Sequence, residues 1–356
     1  MVLNLFVLVL TVVSFWGIKP VKTLRNINDK YISVETSVCF KGIFAVVVML
    51  HHLSQRINPV YPYKEFLDMG YLAVAVFFFL SGYGLQKKNI TDPLYSKGFL
   101  LKRLPAVIIP AIIVAAIFWI KAAMSGIYHS IPSILFSVWT GNTFVPNSWY
   151  IVNIVAFYVV FGILMKVFKK SNFLIIGSVV FYIAWVLWCF VTNHGLWWYS
   201  ATHLLVVGLF WATYEKELMH FIRKVYFVIA PLIWFSFLLI FGFRNKIIAL
   251  PVPGIEIMIR PVTSAFFVAG LFLFSMKFQT GNKATKFLGK ISYEIYLIHG
   301  FFILVFRGNN INIENDFIFM IAVMCATIIG AFIFNKINEF LLKQNKVAWR
   351  KIQRRK

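Results

Sequence analysis

Long apolar segments alternate with short polar segments along almost the whole chain. A helix needs about 20 mainly apolar residues to cross a bilayer, and a window of about 19 residues finds such segments repeatedly. We predict eleven membrane-spanning helices, over 2–18, 38–55, 70–86, 104–124, 147–165, 173–191, 200–214, 225–243, 259–276, 291–306 and 317–334. The pattern therefore predicts an all-α polytopic membrane protein with about 10 to 11 transmembrane helices.

Composition supports a membrane protein and argues against a soluble one. Hydrophobic residues make up 60% of the chain, charged residues only 13%, and the mean hydropathy is +0.80. The net charge of +23 would suit a nucleic-acid-binding protein, but the basic residues lie in short segments between apolar spans and form no continuous basic domain. We therefore expect membrane lipids, and no nucleic acid, as partners.

The basic residues also predict the orientation in the membrane. Alternate connecting segments, together with the C-terminal tail, contain 27 of the 35 Lys and Arg residues, whereas the opposite set contains 7. Because cytoplasmic loops are enriched in Lys and Arg, this asymmetry predicts a cytoplasmic C-terminus and an outer N-terminus in the plasma (inner) membrane. The 2–18 segment lacks the basic start and the Ala-x-Ala site of a cleaved signal, which favours a retained helix.

Two ionisable side chains lie inside the second apolar segment, FKGIFAVVVMLHHLS. Charged or titratable groups are costly within a bilayer and often mark function. Lys41 and His52 are eleven residues apart, so on a helix they share one face at a separation of roughly 16 Å. His51 points about 80° away from that face. A cation near one end and an imidazole near the other suggest a binding group and a proton-transfer group along one path.

Several motifs together give the chain a resemblance to a known family. They are FKGIFAVVVMLHHL at 40–53, FFFLSGYGL at 77–85, LKRLPAVIIP at 101–110 and LGKISYEIYLIHGFF at 288–302. In this order and spacing they resemble the acyltransferase-3 family of integral-membrane O-acyltransferases, which includes O-acetylases of cell-surface glycans. The family more often has Arg where this chain has Lys41, and a Lys is a point charge that lacks the bidentate geometry of Arg.

The resemblance covers about 37–335 and suggests three regions. These are an extra N-terminal transmembrane helix with a cytoplasmic loop (1–36), an acyltransferase-3-like membrane domain (37–335) and a basic cytoplasmic tail (336–356).

The resemblance also implies an activity. An acyl group, usually acetyl, would pass from cytoplasmic acetyl-CoA to a hydroxyl of an envelope or exported glycan, or of a lipid-linked saccharide. Acetyl-CoA would serve as a substrate, and the chain shows no HExxH or other metal-ligand spacing. The alternative is a transporter or flippase for a glycan or small solute, in which Lys41 and His52 would line the permeation path.

Within this resemblance His52 is the expected catalytic base. A neutral imidazole suits the removal of a proton from a sugar hydroxyl near neutral pH. A structural histidine at this position, or catalysis by His51, remains an alternative. Lys41 would hold the donor, or else extend to the cytoplasmic headgroups. Lys102 and Arg103 would bind the phosphates of coenzyme A, or act only as topology anchors.

The remaining candidates would contact the substrate. Ser81 and Tyr83 offer hydrogen bonds deep in the third span, although helix packing also explains the adjacent Ser-Gly pair. Tyr293 and His299 form a second polar site in the tenth span, unless they serve an interhelical hydrogen bond. Trp149 would stack on a sugar ring, or belong to the aromatic belt at the membrane surface.

Overall fold

A computed structural model describes residues 11–21, 27–58, 63–168, 170–308 and 311–353, with side chains as far as Gln344. The predicted first span falls mostly on residues 2–10, which lie outside the described residues, whereas 11–15 are helical. Two short strands, β1 (Lys19–Pro20) and β2 (Phe278–Gln279), pair antiparallel with Lys19 opposite Gln279.

Helices account for nearly all the remaining secondary structure in the described residues. Two short 3-10 helices cover Tyr63–Asp68 and Leu196–Trp198. The α-helices are α1 (Val34–Ser54), α2 (Gly70–Thr91), α3 (Phe99–Met124), α4 (Ile131–Trp139), α5 (Trp149–Val167), α6 (Ser171–Val191), α7 (His203–Thr213), α8 (Glu215–Ile248), α9 (Ile255–Lys277), α10 (Lys283–Lys290), α11 (Ser292–Phe306) and α12 (Asp316–Gln353). Each predicted span from the second to the eleventh coincides with one of these helices.

The lengths and surfaces of the helices confirm an all-α polytopic membrane protein. Among the described residues, seven helices are long and apolar enough to cross a membrane, and the pair α10–α11, if counted as one span, would make eight. The outer faces of these helices are apolar. On α6 a stripe of exposed hydrophobic side chains recurs every three or four residues, as expected for a helix facing lipid: Phe173, Ile176, Val180, Ile183, Leu187 and Phe190.

The chain divides into two compact units. The first contains the described parts of residues 1–96 and 163–290, and the second contains those of 97–162 and 291–356. α12 belongs to the second unit and continues without a break past residue 336. The predicted division of the chain at residues 36 and 335 stays a prediction.

The centre of the first unit is α2, which is buried on all sides along residues 72–80. α7 packs on it through glycines at very short range. A Cβ atom on Gly82 would lie 2.0 Å from the Leu205 carbonyl oxygen, and one on Gly208 would lie 2.3 Å from the Phe79 carbonyl oxygen. These two positions therefore require glycine, and the backbones of the two helices are in direct contact.

α7 is shorter than the predicted span over 200–214. Its 11 residues extend about 16 Å, roughly half the hydrocarbon thickness of a bilayer. The apolar residues just before it are buried in protein: Trp198, Tyr199 and Ala201 are no more than 5% exposed.

Candidate active site

The predicted base lies in the last turn of α1, together with His51. The two imidazole rings are 4.8 Å apart between their centroids. Gln55, the residue that caps this helix, contacts both of them. Three polar side chains within one turn therefore form a small cluster at this end of the helix.

Hydrogen-bond geometry assigns the tautomer of each histidine. His51 Nδ1 lies 2.9 Å from the carbonyl oxygen of Phe66. Because a carbonyl only accepts, His51 Nδ1 carries the proton, and its Nε2 is left to accept from Gln55 Nε2 at 3.0 Å. Gln55 Oε1 then accepts from His52 Nδ1 at 3.4 Å. With both imidazoles neutral, His52 then has its lone pair on Nε2, which is the form that a general base requires.

The short helix Tyr63–Asp68 supplies the fixed end of this chain of hydrogen bonds. Arg244 Nε donates to Asp68 at 2.8 Å, and Arg244 Nη2 donates to Glu65 at 3.0 Å. The Arg244 side chain is only 13% exposed, whereas the side chains of Glu65 and Asp68 are 31% and 39% exposed. The ion pairs hold the turn whose Phe66 carbonyl orients His51.

A glycine allows His51 to pack against the start of α2. A Cβ atom on Gly70 would lie 2.4 Å from Cδ2 of the His51 ring. A larger residue at position 70 would displace the ring from its hydrogen bonds.

Lys41 lies on the same helix as His52 and is half-buried. Its neighbour Gly42 packs against α10, where a Cβ atom would lie 2.2 Å from the Thr285 carbonyl oxygen. Gly289 makes the reciprocal approach, with a Cβ position 1.9 Å from the Val38 carbonyl oxygen. The Lys-Gly pair of the motif therefore combines a basic side chain with the close contact of two helices.

A polar cavity of about 310 Å³ lies near the start of α1. It is lined by Asn28, Lys30, Ser33, Glu35, Thr36, Cys39, Gln279, Thr280, Gly281, Asn282, Lys283 and Lys286. Three lysines and one glutamate give its lining a net positive charge.

Tyr83 belongs to a cluster around Glu215. Tyr83 and Tyr31 both donate to Glu215 Oε1, at 2.9 and 2.8 Å, and Lys87 pairs with the other carboxylate oxygen. Burial raises the pKa of Tyr31, which keeps its phenol protonated as a donor. Ser81, two residues before Tyr83 in the same helix, is half-buried. The described contacts of Tyr83 are those of a structural cluster, while its substrate role stays a prediction.

In the second unit, α11 carries the other predicted polar site. Tyr293 donates to the Val107 carbonyl oxygen at 2.8 Å, and Tyr296 donates to the Asn147 carbonyl oxygen. His299, only 1% exposed, donates through Nδ1 to the Ile295 carbonyl oxygen at 3.1 Å, so its lone pair is on Nε2.

Trp149 begins α5 two residues after Asn147. Asn147 has a positive φ of 65°, a conformation that asparagine tolerates. Trp149 is half-buried, and its ring is 6.3 Å from that of Tyr150, which in turn lies 5.1 Å from that of Tyr296. The structure thus places Trp149, Tyr293 and His299 in one unit.

Lys102 and Arg103 lie in the first turn of α3 and are exposed. The helix has 26 residues and is about 39 Å long, enough to cross the hydrocarbon core with this basic turn at one end.

Gln55 was not predicted from the sequence. The sequence signal that could have found Gln55 is its spacing from the histidines. Residues three and four positions apart are neighbours on a helix surface, and Gln55 follows His52 and His51 at these distances. Glu215 was not predicted either, because an acidic residue in the first turn of a helix is common.

The fold, with many apolar spans and ionisable groups placed on them, defines a polytopic membrane protein with a polar site on its helices. Comparison with family models then matches residues 39–336 to the acyltransferase-3 family, described as an acyltransferase domain. The chain belongs to this family, and the protein is a membrane acyltransferase. Comparisons with curated proteins and with solved structures gave no match. Family membership favours the enzyme over the transporter alternative.

Proposed function

We propose that the protein transfers an acyl group, in its simplest form acetyl, from cytoplasmic acetyl-CoA to a hydroxyl of an envelope or exported glycan. The observation that carries this proposal is the hydrogen-bond chain from Phe66 through His51 and Gln55 to His52. It leaves a lone pair on His52 Nε2 within the motif that the chain shares with its family.

In the proposed reaction, His52 Nε2 accepts the proton of the acceptor hydroxyl as the hydroxyl oxygen attacks the thioester carbonyl. The C–S bond breaks, the acyl group forms an ester with the acceptor, and the coenzyme A thiolate takes up the proton. Gln55 keeps the His52 ring in the required tautomer during this exchange.

Donor binding is proposed for Lys41 and for Lys102 and Arg103, each at the predicted cytoplasmic end of its own helix. Lys41 is about 16 Å from His52 along α1, a distance that the flexible arm of the donor would cover from the cytoplasmic side. Lys102 and Arg103 would attract its phosphates. This assignment uses the predicted orientation in the plasma membrane, with the C-terminus in the cytoplasm.

Activity of two histidine variants tests the proposal. The purified protein in nanodiscs should transfer or hydrolyse acetyl from radiolabelled acetyl-CoA. His52→Ala should lower the rate by about 10²- to 10⁴-fold, as expected for loss of a general base. His51→Ala removes only the support of Gln55 and should lower the rate by about 3- to 10-fold, the equivalent of one ordinary hydrogen bond.

Abundance and acyl-CoA binding serve as controls, because both variants should reach the membrane normally and bind the donor. An inactive His51→Ala beside an active His52→Ala would move the base to His51. An absence of acetyl transfer in the wild-type protein would remove the proposed donor.

A further inference from the structure

The polar cavity of about 310 Å³ near the start of α1 has no role in the proposed reaction. It lies where two apolar helices of the first unit have their ends. α9, with 23 residues, ends just before the 279–283 part of the lining, and α1, with 21 residues, begins within the lining. Helices of these lengths extend roughly 30–35 Å and cross the hydrocarbon core once. The cavity is therefore at the level of the lipid headgroups on one side of the membrane.

The lining of this cavity is cationic. Lys30, Lys283 and Lys286 contribute three positive charges against one negative charge from Glu35. Lys286 pairs with Glu35 at 2.7 Å, whereas Lys30 and Lys283 form no ion pair with any residue that the structure describes. Two lysines are thus left to attract an anionic group.

A buried hydroxyl in the same lining lacks a partner. Thr280 Oγ1 is shielded from solvent and makes no hydrogen bond with any other described residue. A buried polar group without a hydrogen bond is costly, and such an atom indicates a site for a water molecule or a ligand. A phosphate oxygen would accept the hydrogen bond that this hydroxyl can donate.

Two helices begin at this cavity. Ser33 caps α1 by accepting from the Thr36 N–H at 3.2 Å, and Asn282 accepts from the Thr285 N–H at 2.9 Å in the first turn of α10. The first turn of a helix has a partial positive charge, which favours a phosphate group nearby. The two helix starts therefore add to the attraction by the lysines.

Exposed apolar side chains border the polar lining. Val34 lies between two lining residues and is 83% exposed, and Phe287 directly follows the lining residue Lys286 and is 41% exposed. Asn282 donates to the Trp16 carbonyl oxygen at 3.1 Å, and Trp16 is 72% exposed. We call Trp16, Val34 and Phe287 the apolar border. Apolar and tryptophan side chains at the membrane surface are typical of contact with lipid.

We propose that this cavity binds the headgroup of an anionic phospholipid. The phosphate pairs with Lys30 and Lys283 and accepts from Thr280, while the acyl chains pass over the apolar border. This border favours a lipid over a soluble phosphate compound, which would leave the apolar side chains without a partner. The predicted orientation puts the cavity at the cytoplasmic leaflet, whose surface is rich in anionic lipid. Lipid binding here is separate from acyl transfer.

Native mass spectrometry of the full-length protein in detergent tests the binding. The method resolves the protein with no lipid and with one lipid bound, so a titration gives an apparent Kd. Phosphatidylglycerol should bind at least about tenfold more tightly than phosphatidylcholine with the same acyl chains, because two lysines each contribute about fivefold. Equal affinity for the two lipids would overturn the proposal.

Lysine variants locate the headgroup. Lys30→Gln and Lys283→Gln should each weaken phosphatidylglycerol binding about fivefold, the loss expected for one lysine near an anionic headgroup. Lys290→Gln is the matched control, because Lys290 is an exposed lysine of the same helix as Lys283 but does not line the cavity. The same loss in all three variants would indicate a general surface attraction and contradict a site in the cavity.

Thr280→Val tests the buried hydroxyl with a side chain of similar shape. It should weaken phosphatidylglycerol binding about 2- to 10-fold, as expected for the loss of one hydrogen bond. The thermal stability of the lipid-free protein should not fall, because the hydroxyl has no partner to lose there. Unchanged lipid binding in this variant would show that the phosphate is not next to Thr280 and would overturn the site.

A competition measurement separates a lipid from soluble phosphate compounds. Glycerol 3-phosphate and coenzyme A should displace phosphatidylglycerol only at concentrations at least about 100-fold higher than the lipid itself, because they have no acyl chain to contact the apolar border. Displacement by either compound at the concentration of the lipid would identify a soluble phosphate ligand and overturn the lipid assignment. None of these measurements requires acyl transfer, so their outcome does not depend on the proposed function.

Discussion

At the scale of single residues, the hydrogen bond to Gln55 Oε1 indicates the tautomer of His52. If a carboxylate replaced the Gln55 amide and accepted from both rings, His51 would need a proton on Nε2 as well as on Nδ1. The amide instead donates to one ring and accepts from the other. A glutamine can therefore hydrogen-bond to both histidines while both are neutral.

Gln55→Leu should lower kcat about 3- to 10-fold and leave the KM for acetyl-CoA unchanged. The reason is that one hydrogen bond is lost at the histidine end of α1, some 21 Å from Lys41 along the helix. Steady-state kinetics with acetyl-CoA would measure both constants. Gln344→Leu, at an exposed glutamine of α12, is the matched control. An unchanged kcat in Gln55→Leu would show that the amide does not orient His52.

The ionisable residues of α1 could be predicted from the sequence, whereas Gln55, the partner that orients them, could not. Lys41 and His52 attract attention because charge is costly in an apolar segment. Gln55 is an exposed polar residue at a helix end, where polar residues are ordinary. The Phe66 carbonyl has no sequence signal at all, since every residue has one, and only the three-dimensional turn brings it to His51.

At the scale of secondary-structure elements, hydropathy predicted where helices lie better than how long they are. α7 illustrates the difference, because apolar residues buried in protein and apolar residues facing lipid look alike in a sequence window. The contacts of α7 with α2 depend on Gly82 and Gly208, whose Cβ positions are occupied by backbone atoms of the neighbouring helix. Such contacts join residues more than a hundred positions apart, which a local pattern does not reveal.

α8 carries two arginines in ion pairs, one largely buried and the other exposed. Arg244 pairs with Glu65 and Asp68 and is 13% exposed, whereas Arg223 pairs with Asp29 and both side chains are more than half exposed. Arg244→Gln should lower the free energy of unfolding by about 1–3 kcal/mol, since hydrogen bonds to charged groups are lost in a shielded place. Arg223→Gln should cost no more than about 1 kcal/mol, as is usual for a surface pair.

Denaturation in detergent would measure the loss in the free energy of unfolding for each of the two variants. Arg244→Gln should also reduce acyl transfer, because Glu65 and Asp68 hold the turn that presents the Phe66 carbonyl to His51. Equal stability of the two variants would mean that the Arg244 pairs do not hold the turn.

At the scale of the whole molecule, composition and hydropathy were sufficient to predict the fold class, and the motifs were sufficient to predict the family. The division into two compact units was not predicted. Each unit combines segments distant in sequence, and helix assignments alone do not specify which helices pack together.

The orientation of the whole protein follows from the distribution of 27 basic residues against 7 and can be measured by cysteine labelling. In a background with Cys39, Cys189 and Cys325 replaced by alanine, Tyr128→Cys and Lys343→Cys provide single thiols at exposed positions. An impermeant maleimide should label position 128 in intact cells and position 343 only after permeabilisation, because the basic segments remain in the cytoplasm. Labelling of both positions in permeabilised cells is the control for reactivity. The reverse pattern would place the histidine end of α1 in the cytoplasm, and the proposed donor and acceptor sides would then have to be exchanged.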